Sequence, residues 1–215
     1  MDDVSLPYSE TLDLNGWIDG STESESSLAG QIVLTVNDGP TASSNTYALG
    51  VWCVDIFHNI SLGGSGYQFN EGPLSTDHSS ANAGLGTALS NLQMTVIADL
   101  ATYGNHLMQT SPGNVTSALV QAAVWTVEYN STFAGVTYNS LGNNLNVTDP
   151  DNHFDSTDIA NLIDSAVAYG GSAGQLISLS GAQAQVYDGP VPEPASLGLL
   201  GSGLFALAMV RRRRA

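Results

Sequence analysis

The chain has 215 residues, with 20 Asp and Glu against 4 Lys and Arg, and a formal net charge of −16. All four basic side chains are Arg211, Arg212, Arg213 and Arg214, so residues 1–210 carry carboxylates and no Lys or Arg. Nucleic-acid binding, which needs a basic footprint, is excluded, as is any cross-link through a lysine amine of the chain itself; divalent cations, basic partners or simple solubility remain compatible.

In chain order, residues 1–30 are rich in Ser, Thr, Asp and Glu, with isolated apolar positions at Leu12, Leu14, Trp17 and Ile18. This pattern predicts one short strand among turns, in an N-terminal region spanning 1–27. Residues 31–36 are β-branched and apolar, and Asn37-Asp38-Gly39-Pro40 closes them as a strand. Residues 47–57 are almost continuously apolar, as a central strand of a sheet requires. The Gly-rich segment 62–72 reads as a loop, with a brief strand at 67–69.

From about Ala81 the period changes. Leu85, Leu89, Leu92, Val96 and Leu100 recur at helical spacing, and Gly104 fits a C-terminal cap. A second helix starts after Ser111-Pro112 or at Asn114 and runs to about Tyr129. It has almost no polar face, the mark of a buried helix. A third follows Asp155-Ser156-Thr157-Asp158, with Ile159, Leu162, Ile163, Ala166 and Val167 inward and an end at Gly170-Gly171. Residues 175–179 and 183–187 read as a closing pair of strands. The order predicts an α+β fold: a mainly antiparallel sheet or sandwich over 28–188, with a helical subdomain inserted at about 81–170.

Two residues stand out chemically. Cys53, in Val51-Trp52-Cys53-Val54-Asp55, is the only cysteine, so no disulfide forms within the chain. Gln121 sits among apolar neighbours in Leu119-Val120-Gln121-Ala122-Ala123-Val124-Trp125, where a buried amide needs partners for its donors and acceptor. One partner is covalent: a thiolate that attacks the Gln carbonyl expels ammonia and leaves a Cys–Gln thioester, which burial would shield from water. The small Ala122 and Ala123 would admit a strand closely. The plain alternative is a buried Cys and a hydrogen-bonded Gln.

Trp52-Cys53-Val54-Asp55 and Val120-Gln121-Ala122-Ala123-Val124-Trp125 resemble the paired motifs of the bacterial thioester domains of surface adhesins. Those are an aromatic-Cys motif on a strand and a later Thr-Gln-x-Ala-Ile-Trp-type motif; Val120 replaces the Thr and Val124 the Ile. The resemblance spans 28–187 in element order. It implies a thioester between Cys53 and Gln121, supported by Trp52, Ala122 and Trp125, that captures an amine or hydroxyl of a partner and releases the Cys53 thiol. Such a protein reacts once, carries no cofactor and is an adhesin rather than an enzyme. The competing reading is a noncovalent extracellular-matrix or carbohydrate-associated module in which Cys53 is core; a Cys53 hydrolase would need His78 or His106 brought in by the fold.

Residues 189–215 form a tripartite tail: Val191-Pro192-Glu193-Pro194, an uncharged apolar run over 197–210, and Arg211–Arg214. As a helix the run spans on the order of 21 Å at about 1.5 Å per residue, a little short for a stable bilayer span. The arginines place its end on the cytoplasmic side and residues 1–190 outside. The tail resembles the PEP-CTERM sorting signal of Gram-negative bacteria. That resemblance implies transient anchoring in the inner membrane, processing near Pro192–Pro194 by an exosortase-type membrane enzyme, and export to the cell envelope or extracellular matrix. Met1-Asp2-Asp3-Val4-Ser5 has neither the basic nor the apolar region of an export signal. Either a signal peptide lies upstream of this start, or the topology is different.

Metal binding is not expected. His58, His78, His106 and His153 show no ligand spacing, and the run Asp149, Asp151, Asp155, Asp158 fails the EF-hand template at Phe154, where Gly is required. Asn59, Asn114, Asn130 and Asn146 begin glycosylation sequons, which arise by chance in a chain rich in Ser, Thr and Asn.

Overall fold

The computed structural model describes residues 4–18, 21–37, 46–54, 56, 69–73, 89–140, 142–171, 175–179 and 185–188. The elements are β1 (Val4–Ser5), β2 (Glu10–Ile18), β3 (Ser21–Ala29), β4 (Ile32–Asn37), β5 (Thr46–Cys53), β6 (Phe69–Pro73), α1 (Asn91–Thr110), α2 (Asn114–Tyr129), β7 (Thr132–Phe133), β8 (Val136–Thr137), β9 (Asn144–Thr148), α3 (Ser156–Tyr169), β10 (Gln175–Leu179) and β11 (Gln185–Tyr187). The fold is α+β. Its strands form a six-stranded sheet in the order β1-β4-β5-β11-β10-β6, a three-stranded sheet β3-β2-β9 and the small pair β7-β8, and every pairing is antiparallel.

The apolar strand β5 lies third of six, as its composition requires. β6 and β10 are neighbours in the sheet, and all three helices fall between them in sequence. Helix α2 is the hub. It packs on α1 and α3, on β5 of the larger sheet, and on β2, β3 and β9 of the smaller one. Among the described residues the two sheets both pack on this helix, and the apolar character of α2 on all sides follows from this position. Its residues from Val120 to Tyr129 are all buried.

The N-terminal region differs from the single short strand expected there. β2 and β3 are nine-residue strands paired along their whole length. β2 alternates, with Leu12 and Leu14 wholly buried and Thr11 and Asn15 exposed. β3, the edge strand, is largely solvated on both faces, so it offers no hydrophobic period to read. The other edge of β2 takes β9, with Leu14 opposite Val147 and Gly16 opposite Leu145.

α1 starts at Asn91 among the described residues and runs past Gly104 to Thr110. Ser90 caps it, its hydroxyl accepting from Gln93 N–H (3.1 Å) while the Gln93 carboxamide accepts from Ser90 N–H (2.9 Å). The same carboxamide donates to the carbonyls of Val127 (3.1 Å) and Glu128 (2.8 Å), tying the start of α1 to the end of α2. Gly104 is not a cap but an interior residue of α1. A Cβ there would lie 2.6 Å from Val120 Cγ1 and 2.8 Å from Trp52 Cζ2, so the missing side chain lets α1 pass over the Trp52 indole. Leu92, expected inward, is exposed.

In α3 the expected cap is present. The Asp155 carboxylate accepts from Thr157 and Asp158 N–H, and Gly170, at φ +73°, ends the helix. Ile159, Leu162, Ile163 and Ala166 face inward, whereas Val167 is half exposed and belongs to the outer face. The expected helix start at residues 81–88 and most of the loop at 62–72 lie outside the described residues. So does the sorting tail, and no helix among the described residues is long and apolar enough to cross a membrane.

Candidate functional site

Cys53 is the last residue of β5, rather than a mid-strand position, and is 3% exposed. β4 starts at Ile32, opposite Val51, so the strand that flanks β5 on that side stops short of Cys53. On the other side Cys53 lies opposite Gln185 of β11. In an antiparallel ladder the N–H and C=O of one residue point to the same neighbour, and alternate residues point the same way. The polar backbone atoms of Cys53 thus face the place β4 has vacated.

The Gln121 side chain fills that place. Its Oε1 accepts from Cys53 N–H at 2.9 Å and its Nε2 donates to Cys53 C=O at 2.7 Å. The carboxamide, 1% exposed, mimics a strand neighbour with one acceptor and one donor. The two sequence-predicted residues are therefore brought together, although 68 positions separate them.

Three more side chains spaced by multiples of four belong to the same stripe of α2. Ser117, one turn before Gln121, accepts from Gln31 N–H through its hydroxyl at 2.7 Å. Tyr129, two turns after it, donates its hydroxyl to Val54 C=O at 3.2 Å, and the same oxygen accepts from Ile56 N–H at 3.5 Å. Ser117, Gln121 and Tyr129 thus stitch α2 to the backbone just before β4 and just after β5. Trp125 lies between them on the stripe, 1% exposed, and its buried indole N–H meets no acceptor among the described residues. Ser117 and Tyr129 escape a search for reactive groups. Their signal in the sequence is a polar or hydroxylated residue recurring with Gln121 at a spacing of four within an otherwise apolar helix.

Trp52 is fully buried, and its indole N–H donates to Asn105 Oδ1 at 3.1 Å. The same oxygen accepts from Gln31 Nε2 at 2.7 Å. Asn105 thereby orients the residue before Cys53 and, with Ser117, holds Gln31 at the mouth of β4. Ala122 and Ala123 are wholly buried in the core, as close packing around the pair requires.

The remaining histidines divide. His106 of α1 stacks with Tyr103 and Tyr169. His153 lies against Glu10, whose hydrogen bond holds the imidazole above its ordinary pKa. His58 and His78 lie outside the described residues.

A family model for the PEP-CTERM protein-sorting motif matches residues 190–214. That span contains Val191, Pro192, Glu193, Pro194 and the arginines, so the tail carries the sorting motif, which marks the chain for exosortase processing and export to the cell envelope. The match does not reach residues 28–187, and no family model supports the expected thioester domain there. No curated protein and no solved structure matches the chain.

Proposed function

We propose that the exported domain is a covalent adhesin in which Cys53 and Gln121 form an internal thioester, and that a nucleophile on a surface or matrix partner opens it. The observation that carries this reading is the double hydrogen bond between the Gln121 carboxamide and the Cys53 backbone. A carboxamide bonded along a strand edge lies near the plane of the sheet, while side chains leave a strand roughly perpendicular to it. From the side chain's side of the strand the Cys53 thiol would meet Cδ across the face of the amide, the direction from which a nucleophile attacks. Cys53 N–H, already on Oε1, would hold the oxyanion of the tetrahedral intermediate. The Sγ–Cδ bond forms, the Cδ–Nε2 bond breaks, and the nitrogen leaves as ammonia with the thiol proton. A partner amine reverses the logic: its nitrogen bonds Cδ, the C–S bond breaks, and Sγ takes the proton. No oxidant, metal or cofactor enters, and the protein acts once.

A labelled primary amine tests the reading. Incubated with the folded full chain, it is expected to remain attached through denaturing electrophoresis, and Cys53→Ala is expected to abolish the label. Equal labelling of both proteins would sink the proposal. One observation also suits a noncovalent matrix module: the carboxamide pairs with both backbone polar groups of Cys53 where β4 ends, a role that needs no acyl transfer.

A further inference from the structure

A second cluster joins one residue of the N-terminal region to two near residue 150. Glu10 opens β2, while Asp149 and His153 lie in the turn that joins β9 to α3. His153 Nδ1 is 2.9 Å from Glu10 Oε2 and 3.3 Å from Asp149 Oδ2, and one ligand atom from each of the three lies within 4.8 Å of the others. The turn holds this arrangement: Asp149 Oδ1 accepts from Asp151 N–H at 2.9 Å, and its other oxygen accepts from His153 N–H.

The spacing suits a small cation. Ligand atoms about 2.0–2.2 Å from a metal lie about 2.8–3.6 Å from one another at neighbouring octahedral or tetrahedral corners, and the two distances from His153 Nδ1, 2.9 and 3.3 Å, fall in that range. Charge balance points the same way by an independent route. The Asp149 side chain is 1% exposed and that of Glu10 13%, so two largely desolvated carboxylates share one locus. Residues 1–210 contain no Lys or Arg to neutralise them, and a single imidazolium offsets only one. A divalent ion offsets both and takes the neutral imidazole as a ligand. His153, with 45% of its side chain exposed, leaves the outer side open to water. One imidazole with two carboxylates favours a zinc-type transition ion over Ca²⁺ or Mg²⁺, which take oxygen donors.

We propose that Glu10, Asp149 and His153 bind one divalent transition-metal ion, clamping the first residue of β2 to the turn before α3. Isothermal titration of the untagged full chain with zinc chloride is expected to give one ion per chain. Glu10→Gln and His153→Gln, both at partly exposed positions, are each expected to weaken binding at least about tenfold. His106→Gln, at a histidine of α1 outside the triad, is expected to leave the affinity unchanged. With Co²⁺ as the probe, the visible absorption bands are expected to change in His153→Gln. No binding by the wild-type chain, or affinities unchanged in both triad variants with circular dichroism showing them folded, would overturn the proposal. A loss of affinity in His106→Gln equal to that in His153→Gln would overturn it as well.

Discussion

Gln121 engages both backbone polar groups of Cys53, at 2.9 and 2.7 Å, from a helix 68 residues further along the chain. The contact lies where β4 has given way and the edge of β5 needs a substitute neighbour. Whatever chemistry follows, these hydrogen bonds hold the strand end against α2. In a Cys53→Ala background, where no acyl transfer is possible, the added change Gln121→Ala is expected to cost about 2–4 kcal/mol, the loss of two buried hydrogen bonds. Urea denaturation of the two variants measures the difference.

Gly104 sets the distance between α1 and Trp52. An alanine there favours the helix by about 1 kcal/mol. Its methyl must displace Val120 or the Trp52 indole, for which overpacking costs are about 1–3 kcal/mol. Gly104→Ala is expected to lower the denaturation midpoint; a raised midpoint would show that the helix and indole part without cost.

Tyr129→Phe keeps the ring and removes only the hydroxyl that joins Val54 and Ile56 to α2. The expected loss is about 1 kcal/mol. Hydrogen exchange at Ile56 N–H is expected to accelerate, because its acceptor is gone. Unchanged exchange there would contradict the stitching role of the stripe.

Asp99 of α1 is 7% exposed, and burial raises its pKa above the ordinary carboxylate value, partly countered by a hydrogen bond from Gly171 N–H. Because the folded pKa exceeds the unfolded one, this carboxyl's contribution to stability is fully present below the unfolded value of 3.8 and is lost as pH rises through the folded value. Asp99→Asn is expected to flatten that part of the stability–pH curve. An identical pH slope in the variant would contradict it.

Much of the frame is legible in the residues themselves. α2 announces itself by being apolar on all sides, α3 by the Asp155 cap and Gly170, and β5 by an unbroken apolar run that only a central strand tolerates. β3 is hidden because an edge strand of Ser and Glu has no buried face to impose a period. Gly104 misleads because glycine suits both a helix end and a close packing contact, and only the position of Trp52 decides between them. The pairing of Cys53 with Gln121 is foreshadowed by an amide inside an apolar helix, whereas its form, a carboxamide standing in for a strand, depends on where β4 stops. In the Glu10, Asp149 and His153 group Asp149 and His153 are four residues apart, but Glu10 joins them only because β2 reaches the β9–α3 turn through the sheet that β2 and β9 share.

The measurement that bears most directly on the covalent reading is the intact mass of the folded full chain before and after methylamine. The expected result is a mass short by one ammonia, an added methylamine after treatment, and neither change in Gln121→Ala. A mass equal to that of the unmodified polypeptide, and indifferent to methylamine, would contradict it and leave Gln121 as the hydrogen-bonded neighbour of Cys53.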